Sequence, residues 1–135
     1  MGWRMFKNKE YILAVYKEGG FTKAAEKLFI SQPSLSASVK RIEEKTFFRC
    51  EKIGKIKLPQ ALEFIGKDAF SYCYRLTELD IPSNVKQIDE YAFYNCTNLL
   101  TVNVDNSESD MKLGNKWYPT NQGKNIDELK INWTK

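Results

Sequence analysis

The sequence predicts an α+β protein in which an N-terminal three-helix unit is followed by a short solenoid with about four β rungs. Two observations predict this fold: apolar segments of helical spacing separated by turn residues in the first half, and a 23-residue repeat in the second half. A chain of 135 residues can form one ordinary domain or two very small ones. The predicted domains are residues 1–52 and residues 53–135.

Charge is distributed unevenly between the two halves. Residues 1–57 contain 13 Lys and Arg against 6 Asp and Glu, within a chain whose net charge is +4. A basic front half is typical of a segment that meets a polyanion, although solvated surface charge explains the same numbers. The front half is therefore the first place to look for a nucleic-acid contact.

The first two predicted helices lie at the start of the basic half. Apolar residues within Phe6–Tyr16 fall on one helical face, and Gly19 and Gly20 end that helix. A short second helix is predicted over Lys23–Leu28, with Thr22 as its N-cap.

The third predicted helix follows a turn at residues 29–31. Ser31 is its N-cap, Pro33 occupies its first turn, where proline is tolerated, and the helix is expected to continue to about Lys45. Three helices with a short turn between the second and third predict a helix-turn-helix. Leu35, Val39 and Ile42 are predicted on its buried side.

The outward residues of the third helix suit a major groove. Short serines let a helix approach base edges, and Gln32 can form two hydrogen bonds with a base. Lys40 and Arg41 would meet phosphates as the helix leaves the groove. The alternative is a solvated face, but serine is a poor helix former for that purpose. The predicted DNA-binding residues are Thr22, Gln32, Pro33, Ser34, Ser36, Ser38, Lys40 and Arg41.

Two stretches of this region, EGGFTKAAEKL at residues 18–28 and SQPSLSASVKRIEE at residues 31–44, resemble the N-terminal domain of LysR-type transcriptional regulators. The resemblance implies a winged helix-turn-helix over about residues 6–58, with a truncated wing formed by residues 47–49 and 55–58. It also implies that Thr22 contacts phosphate, and that Gln32, Pro33, Ser34 and Ser38 face the groove. The family's dimerisation helix and effector-sensing domain do not follow, so no small-molecule effector is expected.

The second half consists of copies of one short repeat. Residues 58–73 align with residues 81–96, and Cys50, Cys73 and Cys96 are evenly spaced. Each L-x-x-L-x-I segment is predicted to form a short strand, which Pro59 or Pro82 ends by removing a backbone donor. The predicted rungs are Ile53–Leu58, Leu76–Ile81, Leu99–Val104 and Ile126–Ile131. The cysteines are predicted to be buried between rungs, the alternative being a reactive thiol.

The pattern I-P-x-x-V-x-x-I-x-x-x-A-F-x-x-C-x-x-L-x-x-V, within about residues 47–131, resembles the leucine-rich repeats of the BspA-like family. The resemblance implies that the repeats act as binding surfaces. Tyr72, Tyr74, Tyr91 and Tyr94 are candidate contacts on this surface, or else they pack between coils. Residues 117–119 and Trp133 are expected to close the open end of the stack.

Several classes of function are not expected. The chain has no histidine, no Gly-rich phosphate loop and no CxxC pair, so neither an enzyme, nor a metal site, nor a cofactor is predicted. Its longest N-terminal apolar run, Tyr11–Tyr16, is too short for a membrane span or a signal segment, which favours the cytoplasm.

Two hypotheses for function remain. The first is a DNA-binding transcriptional regulator that binds double-stranded DNA through residues 32–45, and binds a protein partner or a second copy of itself through the repeats. The alternative is a protein–protein interaction module whose helical part is a cap that no longer binds DNA.

Overall fold

The computed structural model describes residues 8–119 and 128–135. Three short helices precede a stack of four β coils, which begin near residues 39, 62, 85 and 110. One continuous cluster of buried apolar side chains extends from Val15 in the first helix to Trp117 near the far end. The predicted division into two domains at residue 52 stays a prediction.

The three helices are α1 (Asn8–Glu18), α2 (Phe21–Leu28) and α3 (Gln32–Ser38). Gly19 follows α1 with a φ of +82°, the left-handed conformation predicted for it. Ser31 caps α3 as predicted, since its Oγ accepts a hydrogen bond from the Ser34 amide at 3.2 Å. The N-cap of α2 is Gly20, so the prediction of Thr22 as the cap was wrong.

The predicted third helix, residues 32–45, was too long. α3 ends at Ser38, and Val39 has an extended backbone with φ −102° and ψ 105°. The next residues form a β strand, and the Lys40 carbonyl accepts a hydrogen bond from the Glu63 amide at 2.8 Å. Residues 40–45 therefore belong to a β coil rather than to a recognition helix.

The physical reason lies in the repeat itself. Val39 and Ile42 precede Leu62 and Ile65 by one repeat length, and all four side chains are buried. A helix rich in serine has little intrinsic stability. Packing and hydrogen bonding against the next coil outweigh it, so Val39 and Ile42 are buried as predicted but from an extended segment.

The strands form two parallel four-stranded sheets. The first sheet has the order β1-β3-β5-β7 and the second sheet the order β2-β4-β6-β8. The strands are β1 (Arg41–Ile42), β2 (Lys55–Lys57), β3 (Phe64–Ile65), β4 (Glu78–Ile81), β5 (Gln87–Ile88), β6 (Thr101–Val104), β7 (Lys112–Leu113) and β8 (Lys130–Trp133). The rungs predicted from L-x-x-L-x-I are those of the second sheet, whereas the first sheet was not predicted.

The predicted wing is absent from residues 8–119 and 128–135. β2 pairs in parallel with β4, with Lys57 opposite Asp80, as a rung of the solenoid does. All six strand pairings described in these residues are parallel, so none forms the antiparallel hairpin of a wing.

Aromatic rings stack through the centre of the coils. Phe70 lies between Phe47 and Phe93, with ring centroids 5.1 and 5.2 Å away. Tyr16 of α1 continues the stack, its ring centroid 6.5 Å from that of Phe47. The helices are thereby joined to the solenoid core.

The three cysteines lie beside this stack as buried, free thiols. The thiol of Cys73 donates to the Phe47 carbonyl at 3.1 Å, and that of Cys96 donates to the Phe70 carbonyl at 2.9 Å. Burial raises the pKa of Cys50 and raises that of Cys96 well above its usual value. The pKa of Cys73 is instead lowered, chiefly by its hydrogen bond with Cys96. Because the Cys73 side chain is fully buried, all three thiols still fit the prediction of buried cysteines better than that of reactive thiols.

Successive coils approach closely at their corners. A Cβ added to Gly66 would lie 2.7 Å from the Glu44 nitrogen and 2.8 Å from the Glu43 carbonyl carbon. Flanking corner residues adopt left-handed φ values in two series, one of which recurs in all four coils, at Lys45, Asp68, Tyr91 and Lys116, and the other in the first three coils, at Arg49, Tyr72 and Asn95. The backbone thus turns in the same way in each coil.

The far end of the stack confirms one prediction and corrects another. The Trp117 ring lies 6.1 Å from that of Trp133 and 5.9 Å from that of Tyr118, as expected of residues that close the end. Val102 pairs with Ile131, not with Leu129, so the predicted register was wrong by two residues. The shift keeps every side chain on its predicted face because strand side chains alternate. Ile126 lies outside the described residues.

Candidate functional site

The residues predicted to face DNA on α3 are occupied with one another. The Gln32 amide donates to the Ser36 hydroxyl at 2.7 Å, and the Ser38 hydroxyl donates to the Ser34 carbonyl at 2.8 Å. The Ser31 hydroxyl donates to that of Ser34 at 2.7 Å. Pro33 and Ser34 are not buried. The groups assigned to base contacts are therefore bonded within their own helix.

Lys40 and Arg41 lie on the solenoid instead of on α3. The Arg41 guanidinium stacks 4.0 Å from the centre of the Phe64 ring and its Nε lies 2.8 Å from a Glu43 carboxylate oxygen. Both basic residues line a shallow groove over the first sheet. Thr22, in contrast, lines a groove over the second sheet. Ser38, Lys40 and Arg41 also line one common groove beside α1, whereas Thr22 does not line it. The structure therefore brings together three of the predicted DNA-binding residues but does not place all of them on one surface.

The groove over the second sheet encloses about 830 Å³. Its floor is the outer face of β2, β4 and β6, and the first turn of α2 forms one wall. We call it the second-sheet groove. The charged side chains that line it are Lys23, Lys52, Lys55, Lys57, Glu78, Asp80 and Asp105.

The second-sheet groove is basic at α2 and coil 1 and acidic at coils 2 and 3. Its four lysines all belong to α2 or coil 1, and its three carboxylates belong to coils 2 and 3. Among the described residues that line it, only Lys55 and Glu78 form an ion pair, with the ammonium 3.5 Å from the carboxylate, and both side chains are exposed. An ion pair this exposed contributes little to stability.

A ladder of hydrogen bonds orders the acidic side of the groove. The Asn103 amide donates to the Asp80 carboxylate at 2.8 Å, and the Asn132 amide donates to the Asn103 carbonyl oxygen at 2.9 Å. The Thr134 hydroxyl donates to the Asp105 carboxylate at 2.9 Å. These bonds hold the exposed polar side chains in fixed rows, one for each strand position.

The predicted tyrosine surface is a half-buried row of rings. Tyr72 makes edge-to-face contacts with Phe48, Tyr74 and Tyr94, at centroid separations of 5.5, 6.1 and 5.6 Å. Tyr91 contacts Tyr94 at 5.5 Å. The rings pack between coils, and Tyr74 is the most exposed of the four predicted tyrosines.

Sequence reasoning missed the second-sheet groove although the signal was present. The inward positions of L-x-x-L-x-I carry the repeat pattern, whereas the outward positions between them carry the charges that line the groove. Lys55, Glu78 and Thr101 occupy one such row, each paired with the next across neighbouring strands. Reading these rows along the solenoid reveals a basic coil followed by an acidic one.

Other kinds of site find no support in the described residues. No group of three or more His, Cys, Asp or Glu side chains there could hold a metal ion. Within the same residues, no helix is long and apolar enough to cross a membrane.

Known proteins resemble the chain through its coils. A model of the BspA type leucine rich repeat region matches residues 21–127, in six copies. A solved leucine-rich repeat protein from Bacteroides ovatus ATCC 8483 shares 24% identity with a TM-score of 0.53. That similarity covers 71% of this chain and 28% of the other, so this chain spans less than a third of its solved neighbour. No curated protein matches the sequence.

The family model covers most of the chain and begins within α2, so it includes residues that also resembled a regulator. The residues that it matches include the parallel coils and the buried Phe and Cys columns described above. The chain belongs to the BspA type leucine rich repeat family.

Proposed function

We propose that this chain is a protein-interaction module and that the second-sheet groove is its binding surface. The observation that carries the proposal is the groove's set of exposed charges of both signs, held in rows by a parallel sheet. Complementary charge gives an interface its specificity and speeds encounter. The resemblance to repeats that act as binding surfaces supports the same function.

The rigidity of the coils also suits binding. Inter-coil backbone bonds such as Phe47 amide to Ala69 carbonyl, at 2.7 Å, recur one coil later between Phe70 and Ala92 at 2.7 Å. A surface that is ordered before binding loses less conformational entropy when a partner arrives. The groove can therefore bind without first having to fold.

Regulation through DNA has less support. With seven residues, α3 is about 10 Å long and would reach only a few base edges. Lys40 and Arg41 lie over the first sheet, away from the groove that Thr22 lines. A DNA contact would thus have to form without the long recognition helix that the regulator hypothesis requires.

Site-specific photo-crosslinking tests the proposal. A photoreactive phenylalanine analogue at Gln60, an uncharged and exposed residue, places the probe in the second-sheet groove, and one at Lys86 places it in the groove over the first sheet. We expect protein adducts, identified by mass spectrometry, from position 60 and few from position 86. Equal labelling from both positions would show that binding does not select the second-sheet groove.

Titration with random duplex DNA at two salt concentrations tests the alternative. The Lys40→Ala/Arg41→Ala variant removes two positive charges, and Lys112→Ala/Lys116→Ala removes two from exposed positions in coil 4 as the matched control. We expect weak duplex binding that both variants reduce equally. Salt-dependent binding that only the first variant abolishes would support the DNA-binding regulator instead.

A further inference from the structure

We infer that the partner presents an extended segment with one acidic and one basic residue about two or three positions apart. The acidic residue would lie over α2 and coil 1, and the basic residue over coils 2 and 3. This inference rests on the proposed function and specifies the chemistry of its partner.

The lysine ammonium groups at the basic end of the groove are available to bind a partner. Lys23 and Lys57 are exposed and form no hydrogen bond or ion pair within the described part of the chain. Lys52 donates to the Lys17 carbonyl at 2.9 Å, which holds its ammonium near the groove wall while leaving its other donors open. Lys57 lies opposite Asp80 on the neighbouring strand but forms no ion pair with it among the described residues, so its ammonium can bind a carboxylate of a partner.

The acidic end can still accept hydrogen bonds. Asp80 receives one bond from Asn103, and Asp105 receives one from Thr134, each on one carboxylate oxygen. A carboxylate has two oxygens and about four acceptor sites, so most of that capacity remains. A lysine or arginine of the partner fits there because both carboxylates are exposed.

The spacing follows from the geometry of the sheet. Adjacent strands lie about 4.8 Å apart, so the distance from β2 to β6 is about 10 Å. An extended segment advances about 3.3 Å per residue, which makes two residues about 7 Å and three about 10 Å. A segment that runs across the strands would place its two charges over opposite ends of the groove.

The same charges argue against other occupants. A nucleic acid that entered at the lysines would meet Glu78, Asp80 and Asp105 within one or two strand spacings. A uniformly acidic or uniformly basic peptide would be repelled at one end. Either chain direction is compatible with a mixed segment because both ends are recognised through side chains.

The test compares four immobilised peptides that differ only in two residues, Glu-x-Lys, Glu-x-Glu, Lys-x-Lys and Gln-x-Gln. We expect the 135-residue chain to prefer Glu-x-Lys by about twofold to fivefold, the range for exposed charge pairs. Lys57→Glu should move the preference toward Lys-x-Lys, and Lys57→Gln should move it about half as far. Lys86→Glu, with the same charge change over the first sheet, should leave the preference as it was.

Each other outcome overturns the inference. Equal retention of all four peptides, or a preference for either uniform peptide, would exclude a mixed-charge segment. Self-association that Lys57→Glu abolishes in light scattering would make a second copy the occupant instead. If photo-crosslinks from position 60 persist while the peptide preference is absent, the partner chemistry is wrong and the proposed function stands. If both are absent, both fail.

Discussion

The helical region, residues 8–38, and the coils that follow it achieve stability in different ways. Each coil donates backbone hydrogen bonds to the next at fixed register, and the first three coils each contribute one ring to the central stack. The helices share the buried core through side chains such as Val15 and Leu35, and the Cys50 thiol lies 3.7 Å from the Tyr16 carbonyl. The coils therefore repeat one set of contacts, whereas the contacts of the helices are not repeated.

The difference teaches where a substitution should matter. A change in a coil removes contacts on two sides, because the coil is bonded both to the one before and to the one after. A change on the outer side of the helices removes contacts on one side or none. Making the same substitution once in a coil and once in the helical region therefore measures how much more stability is lost in the coil.

The largest difference is expected between two phenylalanines. Phe70→Ala removes a fully buried ring that stacks on rings in both neighbouring coils, and should lower the free energy of unfolding by about 3–5 kcal/mol. Phe29 follows α2 and is 95% exposed, so Phe29→Ala should change it by less than about 0.5 kcal/mol. Urea denaturation measures both, and equal shifts would contradict the comparison.

A smaller difference is expected between two glycines. Gly66→Ala drives a methyl group into the backbone of residues 43 and 44, at a cost of about 1–3 kcal/mol. Gly20 has no atom within 4 Å of an added Cβ and an extended φ of 172°. Gly20→Ala should therefore cost less than about 1 kcal/mol, a cost that arises because alanine caps a helix less well than glycine. Thermal unfolding of both variants measures the order, and a Gly20→Ala protein less stable than Gly66→Ala would reverse it.

The pH dependence of stability tests the buried thiols. Burial raises the pKa of Cys96 in the folded state, so its thiolate forms more readily in the unfolded chain. The hydrogen bond with Cys96 lowers the pKa of Cys73, which contributes in the opposite direction and reduces the net slope. The stabilisation is complete below the unfolded thiol pKa of about 8.5 and is lost above it, by up to about 1.4 kcal/mol per pH unit. Urea denaturation with reductant, between pH 7 and pH 10, measures this slope. In Cys96→Ala the slope should be shallower, and an unchanged slope would assign it to other groups.

The smallest effect is expected at the cap of α3. Ser31→Ala removes the acceptor of the Ser34 amide and should cost about 1 kcal/mol. Ser109→Ala, in an exposed 3-10 turn, should cost less than about 0.5 kcal/mol. Hydrogen exchange should show faster exchange of the Ser34 amide and unchanged exchange of the Gly66 amide. Loss of protection at the Gly66 amide would show that the Ser31 cap also stabilises the hydrogen bonds between coils.

The solenoid was predictable because its evidence is nonlocal and repeated. Three evenly spaced cysteines and two copies of a pattern, L-P or I-P followed by five residues and Ile, indicate which residues face inward. Cys50, Cys73 and Cys96 do face inward. The second sheet followed directly from that pattern. Three of its four rungs have the predicted register, and the insertion between β6 and β8 displaced the fourth.

The first sheet could not be predicted by local reasoning. Its strands are two residues long, too short for alternation to be visible. Val39 and Ile42 lie at a spacing that fits a helical face as well as a coil. The extended conformation of this segment is stabilised by the next coil, in which the Glu63 amide donates a hydrogen bond to the Lys40 carbonyl. The regulator-like sequence around residues 31–44 favoured the wrong alternative.

The register of the coils has a consequence for how such chains can change in length. Inter-coil bonds link each residue to its counterpart about one repeat away, and the described bonds join only successive coils. Duplicating or excising one whole repeat, such as residues 62–84, would therefore bring equivalent ends together and leave inward and outward positions unchanged. An indel of any other size inside a strand would invert or misalign them. Length in this protein is thus free to vary in whole units, and each added unit would lengthen the charged groove by one strand spacing.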